Sequence, residues 1–238
     1  MNEGPVFISG VGRRAGLHLA HSFLARGIKV IGTYRQERST LLELESRGAE
    51  LYQCDFNKQD QVLHLVNAVK QGHDSLRAVI HNASEWLPDD ADQPAPEVIS
   101  RMMNVHVQVP YLLNLEFTSL LQACPAPHSD IIHISDFTSS RGSKKHIAYA
   151  ASKAAQDNLT LSFAAKLAPK VKVNSVAPAL VLFNEDDDHA YREKALKKSL
   201  LQREGGLGEL QKTIDYILSS TYVTGRVHPL DGGRHLVY

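Results

Sequence analysis

Ser9-Gly10-Val11-Gly12-Arg13-Arg14-Ala15-Gly16 follows directly on the apolar run Val6-Phe7-Ile8 and leads into an amphipathic stretch from about Leu17 to Arg26. A glycine-rich turn between a strand and a helix suits a phosphate. At Gly10, Gly12 and Gly16 the missing side chains let backbone N–H groups and the positive end of the helix approach a pyrophosphate. Two arginines in so short a turn are unusual for a generic nucleotide binder, and other parts of the chain must explain them.

Outward from the turn, the run Lys29-Val30-Ile31-Gly32-Thr33-Tyr34 completes a βαβ unit, and the alternation continues. Strands are predicted at 50–54, 78–80, 130–134, 171–176 and 227–230, with helices near 59–71, 98–122, 149–167 and 208–219. Strands alternating with helices imply a parallel sheet covered on both faces. The expected fold is therefore α/β: one Rossmann-type, doubly wound parallel sheet of about seven strands spanning 1–238 as a single domain. A cofactor half runs to about residue 125 and a catalytic and substrate half follows from about 126. Chemistry is expected beyond the carboxyl ends of the strands.

The 238 residues are 43% hydrophobic and 22% charged, an ordinary globular balance. Lys plus Arg and Asp plus Glu both number 26, so no overall field favours nucleic acid or an anionic membrane as partner. Cys54 and Cys124 cannot build a disulfide framework, and the opening MNEGPVFISG lacks the pattern of a secretory signal, so the chain reads as cytoplasmic. No apolar run is long enough for a transmembrane helix, and the 12 histidines show no ligand-like spacing, so no metal is expected.

After the second strand the sequence reads Thr33-Tyr34-Arg35-Gln36, where NAD-selective sites place an acid on the ribose hydroxyls. Arg35 instead offers a permanent, forked cation to a 2′-phosphate, which favours NADPH. Asp55-Phe56 and Asn82-Ala83-Ser84, after the third and fourth strands, fall where the adenine and its ribose would lie. Tyr149 and Lys153 stand at i and i+4 near the start of a helix, and a cation beside a phenol stabilises the phenolate and brings its acidity toward the useful range.

Taken together, the chain resembles the short-chain dehydrogenase/reductase family over essentially its whole length. The resemblance rests on the glycine turn, Asn82-Ala83 (with His81 where the family commonly has another Asn), Asn104, the Tyr149/Lys153 pair, Val173-Asn174-Ser175-Val176-Ala177-Pro178 and Asp231-Gly232-Gly233. It implies that Lys153 also holds the nicotinamide ribose, that Pro178 lines the cofactor and that Asn104 supports a proton relay through water. Two departures narrow it. Asp136, thirteen residues before Tyr149, stands where most members have serine, and Arg14 stands where most have glycine. Both are the pattern of the family's pteridine reductases, whose turn carries the arginine and whose catalytic set is Asp-Tyr-Lys.

On that resemblance Arg14 bridges cofactor phosphates and substrate, Trp86, the only tryptophan, sandwiches a pterin against the nicotinamide, and Leu180 to Leu182 wall the pocket. The expected reaction is NADPH-dependent reduction of the N5=C6 bond of a 7,8-dihydropterin, with dihydrofolate as a slower alternative. Tyr149, Asp136 and water stay open as the proton source, and the physiological dihydropterin is not legible in any motif. The charged segment 184–203 reads as a solvated face, although relatives place a substrate-closing loop there. Helices near 98–122 and 149–167 resemble the family's pairing surface, so a homotetramer, or a homodimer, is expected. An NADPH-dependent carbonyl or quinone reductase is the alternative enzyme, and a non-catalytic NADP(H)-sensing regulator the alternative outside enzymes.

Overall fold

The structure is a computed structural model and describes residues 4–237. Its strands are β1 (Val6–Ile8), β2 (Val30–Tyr34), β3 (Glu50–Gln53), β4 (Ala78–His81), β5 (Ser129–Ile134), β6 (Val171–Pro178) and β7 (Arg226–Leu230). They form one sheet in the order β3-β2-β1-β4-β5-β6-β7, and every pairing is parallel. The doubly wound, seven-stranded Rossmann-type sheet expected from the alternation is thus the fold observed. The order reverses between β1 and β4, so the crevice for a ligand opens above their carboxyl ends.

The helices are α1 (Arg14–Ala25), α2 (Ser39–Ser46), α3 (Gln59–Gly72), α4 (Ala95–Met103), α5 (Val109–Glu116), α6 (Thr118–Gln122), α7 (Thr138–Arg141), α8 (Ile147–Leu167), α9 (His189–Leu196) and α10 (Leu207–Ser219). Successive side chains on a strand point to opposite faces, and the core divides accordingly. Phe7, Ile31, Val79, Ile131 and Val173 pack with residues of α3, α5 and α8. Val6, Ile8, Val30, Ala78, Ile80, Ile132 and Val176 pack with those of α1 and α10. The central strands are buried along their length, while the edge strands β3 and β7 are partly exposed. Among the described residues no helix is long and apolar enough to cross a membrane.

Several elements differ from expectation. The helix predicted near 98–122 is α4, a π turn at Asn104–Gln108, α5 and α6. Pro110 lacks the N–H that would continue the ladder, and the widened turn just before it accommodates the loss. α8 begins at Ile147 rather than 149 because Asp89 accepts from the N–H groups of Ile147 and Ala148, at 2.7 and 3.2 Å, a cap supplied from another part of the chain. α1 begins at Arg14, so the second arginine and Gly16 belong to the helix. α2 escapes a periodicity reading because only Leu41 and Leu44 of its residues are buried. α9, inside the charged segment, buries none of its side chains and is capped by Asp188.

Candidate functional site

The glycine turn closes against β4. A Cβ on Gly16 would lie 2.0 Å from the carbonyl oxygen of Gly10 and 2.6 Å from Nδ2 of Asn82, so the position admits only glycine. Gly10 has φ 77° and leaves room for Ala83. Asn82 donates from Nδ2 to the carbonyls of Ser9 and Gly10, each at 3.0 Å, and the N–H groups of Asn82 and Ala83 donate to Ser9 Oγ. Asn82 therefore staples the turn to β4. No side chain caps the N-terminus of α1, and no acid lies in its first turn. Its orphan N–H groups and positive dipole end thus face the crevice beside Arg13 and Arg14.

Arg14 has φ 51°, a conformation costing a non-glycine residue roughly 1–2 kcal/mol. Its guanidinium donates to Asn184 Oδ1 at 2.5 Å and to the carbonyl of Leu182 at 2.8 Å, joining the phosphate turn to the loop after β6. Arg35 pairs with Glu85, whose carboxylate also receives the guanidinium of Arg101 at 2.9, 3.0 and 3.1 Å. Tyr34 donates to Glu37 at 2.8 Å. Phe56 is a core residue, packed with Val62 and Leu65. Asp55 accepts from the N–H of Asn57 at 3.0 Å. Pro178 ends β6 and its carbonyl accepts from the N–H of Phe137, while Leu180 just beyond it is half-buried.

Deeper in the crevice, Tyr149 donates to Asp136 Oδ2 at 3.1 Å. The other oxygen of Asp136 accepts from the N–H and hydroxyl of Thr138, at 2.8 and 2.7 Å. Lys153, 2% exposed, donates from Nζ to the carbonyl of Ile134 at 2.7 Å and to Gln156 Oε1 at 3.3 Å. Burial brings the ammonium down to about 8 against the pull of Asp136 and Asp157. Burial and Asp136 push the Tyr149 phenol well above its ordinary value. These influences oppose the acidification expected from Lys153, whose Nζ lies 5.7 Å from the centre of the ring and is turned to Ile134 and Gln156.

Asn104 opens the π turn and donates to the carbonyl of Phe56 at 2.5 Å, tying the helix to the loop after β3. Trp86 is 61% exposed and stacks on His146 with ring centres 4.0 Å apart. His146 is fixed in turn by the carbonyl of Leu87 at 3.0 Å. Sequence reasoning singled out neither His146, Glu85, Arg101, Asn184 nor His106. Each meets its partner across 16 or more positions of chain, and no short-range spacing betrays them.

A family model described as enoyl-(acyl carrier protein) reductase matches residues 10–235. The dihydromonapterin reductase of Klebsiella pneumoniae subsp. pneumoniae is 52% identical over 232 residues, 98% of this chain and 97% of that one. The dihydromonapterin reductase of Escherichia coli strain K12 is 49% identical, with the same coverage of both chains. Among solved structures, the alternative dihydrofolate reductase 1 of Brucella suis in complex with NADP superposes with a TM-score of 0.86 at 25% identity, covering 100% of this chain and 98% of that one.

Proposed function

The chain belongs to the short-chain dehydrogenase/reductase family, and from that premise we propose that it is an oxidoreductase of the dihydromonapterin reductase type, reducing a 7,8-dihydropterin with NADPH. The observation that carries the substrate reading is the hydrogen bond from Tyr149 to Asp136, a carboxylate where the family's ketone reductases have serine. The close relationship to dihydromonapterin reductases supports it.

The residues fit a dinucleotide. Gly10, Gly12 and Gly16, the uncapped N-terminus of α1 and Arg14 would hold the pyrophosphate, Lys153 and Ser84 the nicotinamide side, and Arg35 with Tyr34 the 2′-phosphate end. When bound, NADPH supplies the hydride that reduces the C6 position. The rest falls to side chains of this chain. Trp86 offers a flat face to the pterin, and Leu180 and the loop behind Arg14 limit where the ring can lie. Tyr149 enters protonated, so the proton for N5 comes from the phenol, directly or through one water. Asp136, already accepting from three donors, orients that phenol rather than donating. Exposed Tyr111, Leu115 and Leu161 on α5 and α8 support pairing of copies into the expected homotetramer.

Initial rates of NADPH oxidation with 7,8-dihydromonapterin, 7,8-dihydrobiopterin and 7,8-dihydrofolate test the reading, with NADH and a simple ketone as controls. The expected order places dihydromonapterin first and dihydrofolate well behind. Turnover of the ketone with none of the pterins overturns the pterin assignment in favour of a carbonyl reductase. No turnover with any of them, but tight NADP(H) binding, favours the regulator.

A further inference from the structure

We infer that His106 is a positioning residue that, by holding the only hydroxyl hydrogen of Ser84, keeps every neighbour of the Tyr149 phenol an acceptor. The inference rests on the reading of Tyr149 as proton donor. Its first test, however, needs no turnover.

His106 lies in the π turn, is fully buried and meets the Tyr149 ring edge-on, with centres 5.4 Å apart. Its Nδ1 is 2.8 Å from Ser152 Oγ and its Nε2 is 2.8 Å from Ser84 Oγ. Ser152 has one hydroxyl hydrogen and donates it to the carbonyl of Tyr149 at 2.7 Å. Toward His106 it can only accept, so the imidazole carries its hydrogen on Nδ1. Burial and Lys153 keep the ring neutral, so Nε2 is a bare acceptor. The remaining bond then requires Ser84 to donate. Its other acceptor, the carbonyl of Glu85, lies at a poorer 3.3 Å. With its hydrogen given to His106, Ser84 turns only lone pairs toward Tyr149.

The consequence is electrostatic. Burial and then Asp136 push the phenol up, and the Ser84 hydroxyl, near enough to reach Tyr149, pulls it down to the extent that its hydrogen turns that way. Of the other charged residues on α8 and the elements packed against it, Lys153 donates to the carbonyl of Ile134 and to Gln156, Arg101 of α4 pairs with Glu85, Arg141 of α7 with the carbonyl of His235, and Lys172 of β6 with Asp130, while Glu97 of α4 and Arg226 of β7 are exposed. Asp89 caps the helix at Ile147 and Ala148. Within α8 itself, Asp157 accepts from Ser175. The direction of the Ser84 hydroxyl is thus the adjustable element beside the phenol, and the pinned tautomer of His106 sets it.

The test is a pH titration of Tyr149 by NMR in protein labelled with carbon-13 at the tyrosine Cζ, with Tyr149→Phe to assign the resonance. His106→Phe keeps the ring and its edge-on contact but frees the Ser84 hydrogen. The phenol midpoint should fall by about one pH unit or more, the scale of a hydrogen bond to a charged oxygen. Ser84→Ala alone should show no fall, and His106→Phe combined with Ser84→Ala should return to the wild-type midpoint. A midpoint unchanged in His106→Phe, or a fall that survives in the double variant, overturns the inference. If His106→Phe does not fold, Ser152→Ala releases the tautomer and should give a smaller fall in the same direction; an unchanged midpoint there counts equally against it. The alkaline limb of kcat/KM with the dihydropterin should track the NMR midpoints. The NMR pattern without any turnover would sink the proposed reduction and leave the role of His106 standing.

Discussion

Tyr149 and Lys153 are almost closed off from solvent, whereas Arg35 and Trp86 stand at the rim of the same crevice with about half or more of their side chains exposed. The deep pair is held by the core: Asp136 and the carbonyl of Ile134 on one side, Gln156 and the His106 bridge on the other. The rim residues are each held by one replaceable partner, Glu85 for Arg35, His146 for Trp86, and the loop at Leu182 and Asn184 for Arg14. A buried polar group must keep its partner or lose heavily, while an exposed one can exchange it for a ligand at small cost. On the proposed function, chemistry belongs to the deep layer, and selection of cofactor and substrate to the rim.

Variants at the two levels should separate by size. Tyr149→Phe removes the proton donor and should lower kcat by about 10²–10⁴-fold with little change in NADPH affinity. A loss below tenfold would show that the deep layer does not supply the proton. At the rim, Arg35→Ala should raise KM for NADPH about tenfold, one charge-assisted bond discounted for its exposure, and leave NADH unchanged. Equal effects on both cofactors would mean that the Glu85 pair is structural. Trp86→Ala should weaken the dihydropterin by roughly 2–10-fold, the scale of one stacking contact, with cofactor binding intact. If either rim variant matched Tyr149→Phe in kcat, the division between the layers would fail.

A separate effect is on stability and reports the deep layer alone. Lys153 loses its proton near pH 8 in the folded chain and near 10.5 when unfolded, so within that window the unfolded state binds more protons. Its contribution makes stability rise with pH from about 8 to 10.5. Urea unfolding of wild type and Lys153→Met at both ends of the window should show that rise only in the wild type. A parallel rise in the variant would assign it to other groups.

The seven-stranded sheet, the phosphate turn and the Tyr149/Lys153 pair were legible because each is written in local spacing: short continuous apolar runs between amphipathic stretches, glycines at a strand-to-helix turn, and an i, i+4 pair on one helix face. Asp136 was legible only through the family resemblance, which expects a polar residue thirteen positions before Tyr149, and the structure has a hydrogen bond between the two. α2 and the break at the π turn were not, because two buried leucines make too faint a period, and the hydrogen bond that Pro110 cannot donate leaves no mark in hydropathy.

By itself, then, the sequence determined the parallel sheet, the place of the crevice and the identity of the groups able to do chemistry there, since short-range periodicity and residue type are local properties. Which way those groups act was decided only in three dimensions. Lys153 faces Ile134 rather than the phenol, Arg14 reaches Asn184 across 170 positions, and His106 receives its tautomer from Ser152, 46 residues away. Burial and hydrogen-bond direction depend on neighbours that only packing brings together, and these set the proton affinity of Tyr149 and Lys153.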